Sequence, residues 1–317
     1  MEEQEYLESD PESLVFDRDR HIYYLLMMYQ LLPSPYQGQE INRLTLAYFV
    51  ISGLDILRAL DRIDKEAVIN WVLSLQAHPR NDNTLEKGQF YGFHGSRSSQ
   101  FQSNNNGAAI LNGSHLASTY CALAILKTVG YDLSLIDSEL LLKSMKDLQQ
   151  PDGCFMPIHT GGETDLRFVF CAAAICSMLE NWSGMDREKA KEYIVNCQIF
   201  VTLMDGSSFS VAGGATSRHK MAAFKVEPTK PTDTCYAFWV GGVLRILGAD
   251  TFINESALRG FLLTCQSEYG GFSKFPRLLP DLYHSYYGYC AYSLLKEPGL
   301  NSLCVELGIT DIAAVGL

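Results

Sequence analysis

Positive charge is scarce in this chain: 25 Lys and Arg stand against 36 Asp and Glu, a net charge of -11 over 317 residues. Nucleic-acid binding draws on a cationic patch that releases counterions from phosphate, so the balance argues against that class of partner. An acidic surface favours basic protein substrates, and it also serves solubility alone. Long hydrophobic runs are lacking too. The longest apolar stretch, Phe168 to Leu179, is too short to cross a bilayer, and no basic segment followed by an apolar run opens the chain. Together these absences set the expectation of a cytoplasmic protein with no transmembrane segment. No Pro/Ser/Gly linker divides the sequence, so a single domain over 13–317 is expected, preceded by an acidic tail at 1–12 with little to bury.

The apolar share of 47% is enough for a large core. Nine cysteines are set mostly singly inside apolar helical runs, among them Cys121, Cys171, Cys176 and Cys290. That placement suits reduced, buried thiols better than a disulfide framework.

An internal repeat organises the chain. Four helical segments end alike, at Gln76, Gln149, Gln198 and Gln266, and two of them run into Gly-containing turns, Gln150-Pro-Asp-Gly-Cys-Phe155 and Gln266-Ser-Glu-Tyr-Gly-Gly-Phe272. A second class of helix is rich in small residues and apolar on most of its surface. Its members begin near Thr119, Phe168, Thr234 and Ser285. A helix apolar all round must be surrounded, whereas the Gln-ended helices keep one polar face, as in Asp64-Lys-Glu-Ala-Val-Ile-Asn-Trp-Val72. Alternation of the two kinds predicts an all-α fold, an α/α toroid, with an inner ring wrapped by an outer one. The repeat is close to 50 residues, since Cys121 to Cys171 is 50 and Tyr236 to Tyr287 is 51. Cys171 to Tyr236, at 65, is too long for one unit and too short for two.

Repeat register places two inner-helix starts on one rim of the central cavity, Lys230-Pro-Thr-Asp-Thr-Cys-Tyr236 and the stretch from Lys274 to Tyr287. Asp233, Cys235 and His284 then offer one carboxylate, one thiolate and one imidazole. Three protein ligands leave a fourth zinc position open, as catalytic sites do. Taken without the repeat, the spacing favours plainer roles, a helix cap for Asp233 and a core thiol for Cys235.

Several longer motifs carry a resemblance. Asp233-Thr-Cys-Tyr-Ala-Phe-Trp239, His284-Ser-Tyr-Tyr287, Ser183-Gly-Met-Asp186, Asp165-Leu-Arg-Phe-Val169 and Arg43-Leu-Thr-Leu-Ala-Tyr-Phe-Val-Ile-Ser-Gly-Leu-Asp55 together resemble the beta subunits of protein geranylgeranyltransferase type I, plant members most closely. The resemblance implies an α/α toroid paired with a helical-repeat alpha subunit, acting on geranylgeranyl diphosphate and on proteins ending in C-a-a-X. It further implies that Asp233, Cys235 and His284 hold one Zn2+ ion, that Lys230, Tyr236 and Lys274 meet the diphosphate, and that Thr45, Tyr120, Arg167, Trp239 and Tyr287 line the isoprenoid tunnel. Farnesyltransferases, which resemble the chain in outline, place a tryptophan where Thr45 sits and a magnesium-assisting aspartate where Lys274 sits. The resemblance therefore implies a 20-carbon donor and no need for magnesium, although Tyr287 is similar to the farnesyl type.

The chain departs from the family over 199–229, where one Gln-ended helix and most of an inner helix are missing. The family has His where Ala212 precedes Gly213-Gly-Ala-Thr216, and Gly-Arg-x-Asn-Lys-Pro where Glu227-Pro-Thr-Lys-Pro231 stands. Lys220 to Thr229 can be written AAG ATG GCG GCT TTC AAG GTA GAA CCA ACA, which read from its third base gives Asp-Gly-Gly-Phe-Gln-Gly-Arg-Thr-Asn, the family's missing turn. A local frame change or altered splice accounts for that, though not for 199–219. A ring short by one helix pair is expected to shift Asp233 and Cys235 relative to His284. Impaired activity, in a paralogue or splice product that still binds the alpha subunit, is thus the alternative to a working enzyme. An unrelated toroid hydrolase or cyclase would need paired acids in the cavity, and no such pair stands out.

Overall fold

The computed structural model describes residues 15–79, 89–100, 113–197, 199–202, 208–211 and 232–315. Its major helices alternate between two rings. The outer helices are α1 (Arg18–Gln30), α3 (Lys65–Leu73), α5 (Ser138–Lys146), α7 (Arg187–Asn196) and α9 (Glu255–Cys265). The inner ones are α2 (Arg43–Ile56), α4 (Leu116–Thr128), α6 (Leu166–Met178), α8 (Tyr236–Ile246) and α10 (Leu282–Leu294). The small-residue composition explains the sorting: 11 of the 13 residues of α4 are buried, whereas α3 buries only Val68 and Val72. All five outer helices start on an Asx cap, with Asp17, Asp64, Asp137, Asp186 and Asn254 accepting first-turn N–H groups. Helix α2, quoted above only for its motif, is a fifth inner helix.

The Gln-ended turns are the joints of the outer ring. At the end of α5, the Gln149 amide donates to Asp186 O (2.9 Å) and accepts from Asp186 N (2.6 Å), gripping the cap of α7. At the end of α9, the Gln266 amide donates to Val15 O (3.0 Å) and accepts from Asp17 N (3.2 Å), gripping the cap of α1. The turn glycines repeat the correspondence. Gly153 and Gly270 both have positive φ, and a Cβ on either would strike the carbonyl of the third residue of the gripped helix, Lys189 or Arg20. The first helix thus follows the last outer helix as α7 follows α5, and the ring closes across the whole chain. His21 seals the seam: it is fully buried, its Nδ1 accepts from Gly271 N (2.9 Å), and its Nε2 meets Gln266 Oε1 (3.0 Å). Burial drives its pKa down to about 4, so it is neutral, as the acceptor role requires.

The inner helices adjoin in the order α8, α10, α2, α4, α6. No comparable packing joins α6 to α8 among the described residues. The helices beside that break leave apolar side chains uncovered, namely Ile194 and Val195 on α7 and Val243 and Ile246 on α8. Here lies the segment flagged by the 65-residue interval. Its described part is an antiparallel pair, β1 (Ile199–Thr202) with β2 (Ser208–Val211), rather than a helix. The tail at 1–12, Ala212 and the stretch 220–231 lie outside the described residues.

After α10 the chain forms a short hairpin, β3 (Leu303–Cys304) with β4 (Ile309–Thr310), and ends in α11 (Asp311–Val315). All nine cysteines are free thiols and seven are buried, as their solitary placement suggested. Among the described residues no helix is long and apolar enough to cross a membrane.

Candidate metal centre

Asp233 and Cys235 precede α8 and His284 lies in the first turn of α10, so 49 residues separate His284 from Cys235. Thr234 joins the two places. Fully buried, it donates through Oγ1 to Ser273 O (2.7 Å), and its N–H donates to Lys274 O (3.2 Å). Asp233 Oδ1 accepts from Cys235 N at 3.0 Å in the turn before α8, while Cys235 itself is the N-cap residue.

One donor atom from each of Asp233, Cys235 and His284 lies within 4.8 Å of the others. The Thr234 link ties the start of α8 to the turn before α10, although α6 and α8 do not pack together among the described residues. His284 Nε2 stands 3.3 Å from Asp233 Oδ1, and its Nδ1 is 2.7 Å from Asp281 Oδ2. Asp281 caps α10 through His284 N (2.9 Å) and fixes the ring so that Nε2 faces the other two donors. The sequence reading missed Asp281. Its signal was an Asp three residues before a candidate ligand at a helix start. A carboxylate, a thiolate and an oriented imidazole form a borderline-soft set that fits zinc.

The protonation of the three side chains follows from these contacts. Burial lowers the basicity of His284, but Asp233, Asp281 and Cys235 outweigh it and push its pKa up to about 11. Burial pushes the Cys235 thiol up, with His284 opposing and Asp233 reinforcing. Burial also raises the Asp233 carboxyl, and hydrogen bonds to His284 and Cys235 more than cancel that, leaving it below the usual carboxylate value. The raised His284 pKa contributes stability fully below pH 6.5, and the contribution fades as pH climbs toward 11. A metal ion must displace both the imidazolium and thiol protons. Binding at pH 7 is therefore expected to release about two protons and to tighten as pH rises. Calorimetry in buffers of different ionisation enthalpy measures this, and a release near zero would contradict the assigned donors.

Lys274 stands on the same rim, Nζ 3.6 Å from Asp233 Oδ2. Tyr236 opens α8, half-buried. Trp239 and Tyr287 pack together at 4.8 Å between ring centroids, with Trp239 Nε1 donating to Tyr283 OH (3.2 Å) and Tyr287 stacked on Phe238. Half-buried Thr45 accepts from Cys121 Sγ at 3.8 Å. Tyr120 is buried one position from Cys121, its hydroxyl 2.8 Å from that of Tyr48. Arg167 stands apart, its exposed guanidinium turned back onto Asp165 at 2.9 Å. Lys230 lies outside the described residues.

Comparison with known proteins agrees with this architecture. The family described as the prenyltransferase alpha-alpha toroid domain matches residues 16–212 and 216–309. Geranylgeranyl transferase type-1 subunit beta of Arabidopsis thaliana is 55% identical over 352 aligned positions, covering 98% of this chain and 93% of the relative. That alignment is 35 positions longer than the 317-residue chain, so the relative carries at least 35 residues without a counterpart here. The subunit of the same name from Dictyostelium discoideum is 31% identical, covering 89% of this chain and 92% of the relative. A solved chain of Candida albicans protein geranylgeranyltransferase-I complexed with GGPP shares the fold at a TM-score of 0.57 and 18% identity, covering 94% of this chain and 97% of that one. Near-complete coverage of these relatives, at identities up to 55%, makes the chain a member of the prenyltransferase alpha-alpha toroid family, among the type-1 geranylgeranyl transferase beta subunits.

Proposed function

We propose that this chain, paired with a prenyltransferase alpha subunit in the cytoplasm, transfers a geranylgeranyl group from geranylgeranyl diphosphate to the cysteine of C-a-a-X protein C-termini. The observation that carries the reading is the convergence of Asp233, Cys235 and His284 on the rim of an apolar ring. A zinc ion held by these three would supply Lewis acidity, keeping an incoming cysteine sulfur deprotonated near neutral pH.

The residues of the chain do the rest. Asp281 keeps the His284 Nδ1 proton, leaving Nε2 as the ligand. Sulfur attacks the first carbon of the lipid; a C–S bond forms, the C–O bond breaks, and diphosphate leaves with the electron pair. Lys274, Tyr236 and Lys230 are assigned to meet that charge as it grows. A fixed cation at Lys274 removes the need for magnesium. Thr45, Tyr120, Arg167, Trp239 and Tyr287 are assigned to line the path of the lipid.

A transfer assay with the alpha subunit, a C-a-a-X peptide and 15- or 20-carbon donors tests the proposal. Preference for the 20-carbon donor supports it, and preference for the 15-carbon donor favours the farnesyltransferase alternative. Thr45→Trp is expected to reverse the preference by filling space beside Cys121. Each blocked methylene is worth about 0.8 kcal/mol, so a five-carbon unit amounts to roughly 4 kcal/mol and a shift of up to about a thousandfold in relative kcat/KM. Unchanged donor ranking in that variant would remove Thr45 from the tunnel.

One observation favours a second reading, an impaired subunit that still binds its partner: the inner ring lacks packing between α6 and α8 among the described residues. Zinc content and turnover, measured on the same heterodimer, separate the two.

A further inference from the structure

Thr234 stands between two of the three metal donors, yet its own hydroxyl serves the segment that carries Lys274. The Lys274 carbonyl receives two donors from it, the Thr234 N–H (3.2 Å) and Oγ1 (3.2 Å), and Oγ1 is shared with Ser273 O at 2.7 Å. From the other side Ser273, itself buried, is fastened to the end of α9. Its N–H donates to Cys265 O (2.9 Å), and its hydroxyl is shared between Cys265 O (3.2 Å) and Phe275 O (2.6 Å). Two buried hydroxyls thus pin the backbone around Lys274. The lysine side chain is 46% exposed, with Nζ between Asp233 Oδ2 (3.6 Å) and the face of Phe275, 5.1 Å from the ring centroid. A valine would fill the fully buried place of Thr234 with nearly the same shape. The hydroxyl, rather than the volume, is therefore what distinguishes this position.

We infer that Thr234 is a positioning residue for the leaving group: its hydroxyl holds Lys274 at the distance from the metal donors at which the ammonium meets the departing diphosphate. This role rests on the proposed prenyl transfer, in which the attacking sulfur lies on the side of the three donors and the diphosphate oxygen leaves from the opposite side of the reacting carbon. The places of nucleophile and leaving group are then linked, and misplacement by about 1 Å costs roughly a hundredfold in rate. Lysine is a point charge on a flexible stem, so its aim depends on where its backbone is held. One tripeptide meets both needs. Asp233 and Cys235 offer donors to the metal, and Thr234 between them fixes the backbone of the cation.

The test is single-turnover transfer of a geranylgeranyl group to a C-a-a-X peptide by the heterodimer at saturating zinc and lipid. The unaltered chain is compared with Thr234→Val, Thr234→Ser, Lys274→Ala and the double variant Thr234→Val/Lys274→Ala. The valine variant keeps the N–H bond to Lys274 O, so zinc content should stay at one per heterodimer and peptide affinity within about twofold, while transfer slows about 10–100-fold. Thr234→Ser retains the hydroxyl and should stay within about threefold of the parent. In the Lys274→Ala background the valine change should cost less than about twofold, because the charge it displaces is already gone. A threonine with a merely structural role lowers the melting temperature and slows both backgrounds by the same factor; equal costs overturn the inference. Loss of zinc from a folded valine variant overturns it too, since Thr234 then supports the metal donors instead. If the valine variant does not fold, Thr234→Ala enters the same cycle, and a loss of about tenfold in Thr234→Ser overturns the inference by itself. Lys274→Ala at the parental rate removes Lys274 from the leaving group, overturning that assignment in the proposed function and the role of Thr234 with it.

Discussion

Cys235→Ser will lose zinc and transfer activity together. Among the described residues, Asp233, Cys235 and His284 are the only group placed to hold a metal ion, and the thiolate is the softest of the three donors. Serine keeps the volume but does not ionise near neutral pH, so the site falls to two charged or aromatic donors. Changes to residues that merely orient a ligand cost about 10–100-fold in metal affinity, and loss of a ligand should exceed that. The expected result is substoichiometric zinc after dialysis at micromolar protein and turnover at least about a thousandfold down, with the heterodimer still assembled. Asp281→Asn is the milder companion, lowering affinity within that 10–100-fold range by weakening the hold on His284 Nδ1. Full zinc retention in Cys235→Ser would reject the site.

The second large effect concerns the missing repeat. The chain as it stands should bind zinc normally yet turn over at least about a thousandfold more slowly than one given back a full helix pair between α7 and α8. Normal zinc binding follows from the Thr234 link, which is independent of the broken side of the ring. Slow turnover follows from two losses. The His and Arg that the family resemblance implies for meeting the leaving diphosphate have no counterpart at Ala212 and Glu227, and oxyanion donors are each worth about 2.7–4 kcal/mol of transition-state stabilisation. In addition, among the described residues α8, which carries Tyr236 and Trp239, has no inner neighbour toward α6 to hold it, and misplacement by about 1 Å costs roughly a hundredfold. Inserting a full helix pair between α7 and α8 should restore most of the rate and raise the melting temperature as Ile194, Val195, Val243 and Ile246 become covered. An ordinary enzymatic rate from the chain as it stands would dismiss this account, and sequencing its transcript would show whether Lys220 to Lys230 is read in frame.

Much of this was legible in the residues because a toroid repeats one pattern. Small apolar helices such as Leu116–Thr128 can only sit inside, and Gln-ended amphipathic ones can only wrap them. Once that register is known, His284 and Cys235 must share a rim despite their separation. The 65-residue interval likewise fell where, among the described residues, no packing joins α6 to α8. What stayed hidden depends on geometry that composition does not encode. Asp281 is one of many Asx caps, and only its distance to His284 Nδ1 makes it a positioning residue. The hairpin after α10 has strands of two residues each, too short for any period, and Gly308 reads as an ordinary turn glycine until three hydroxyls are found around it. Tyr48, Tyr120 and Tyr286 resemble core aromatics, and their shared target lies up to 260 residues away in the chain.

The seam sealed by His21 also orders events in time. Helix α1 leaves the ribosome first, but the groups that complete its surroundings, Gln266 and Gly271, lie about 250 residues downstream. At about 5–20 residues per second, a nascent chain exposes Ile22, Leu25 and Met28 for roughly 10–50 s before their final neighbours exist. Every ring contact made meanwhile is provisional, since the last outer helix must still find the first. Production of this subunit should therefore depend on holding chaperones more than a protein of its length ordinarily does, and a stall late in translation should leave an aggregation-prone open arc rather than a smaller folded domain.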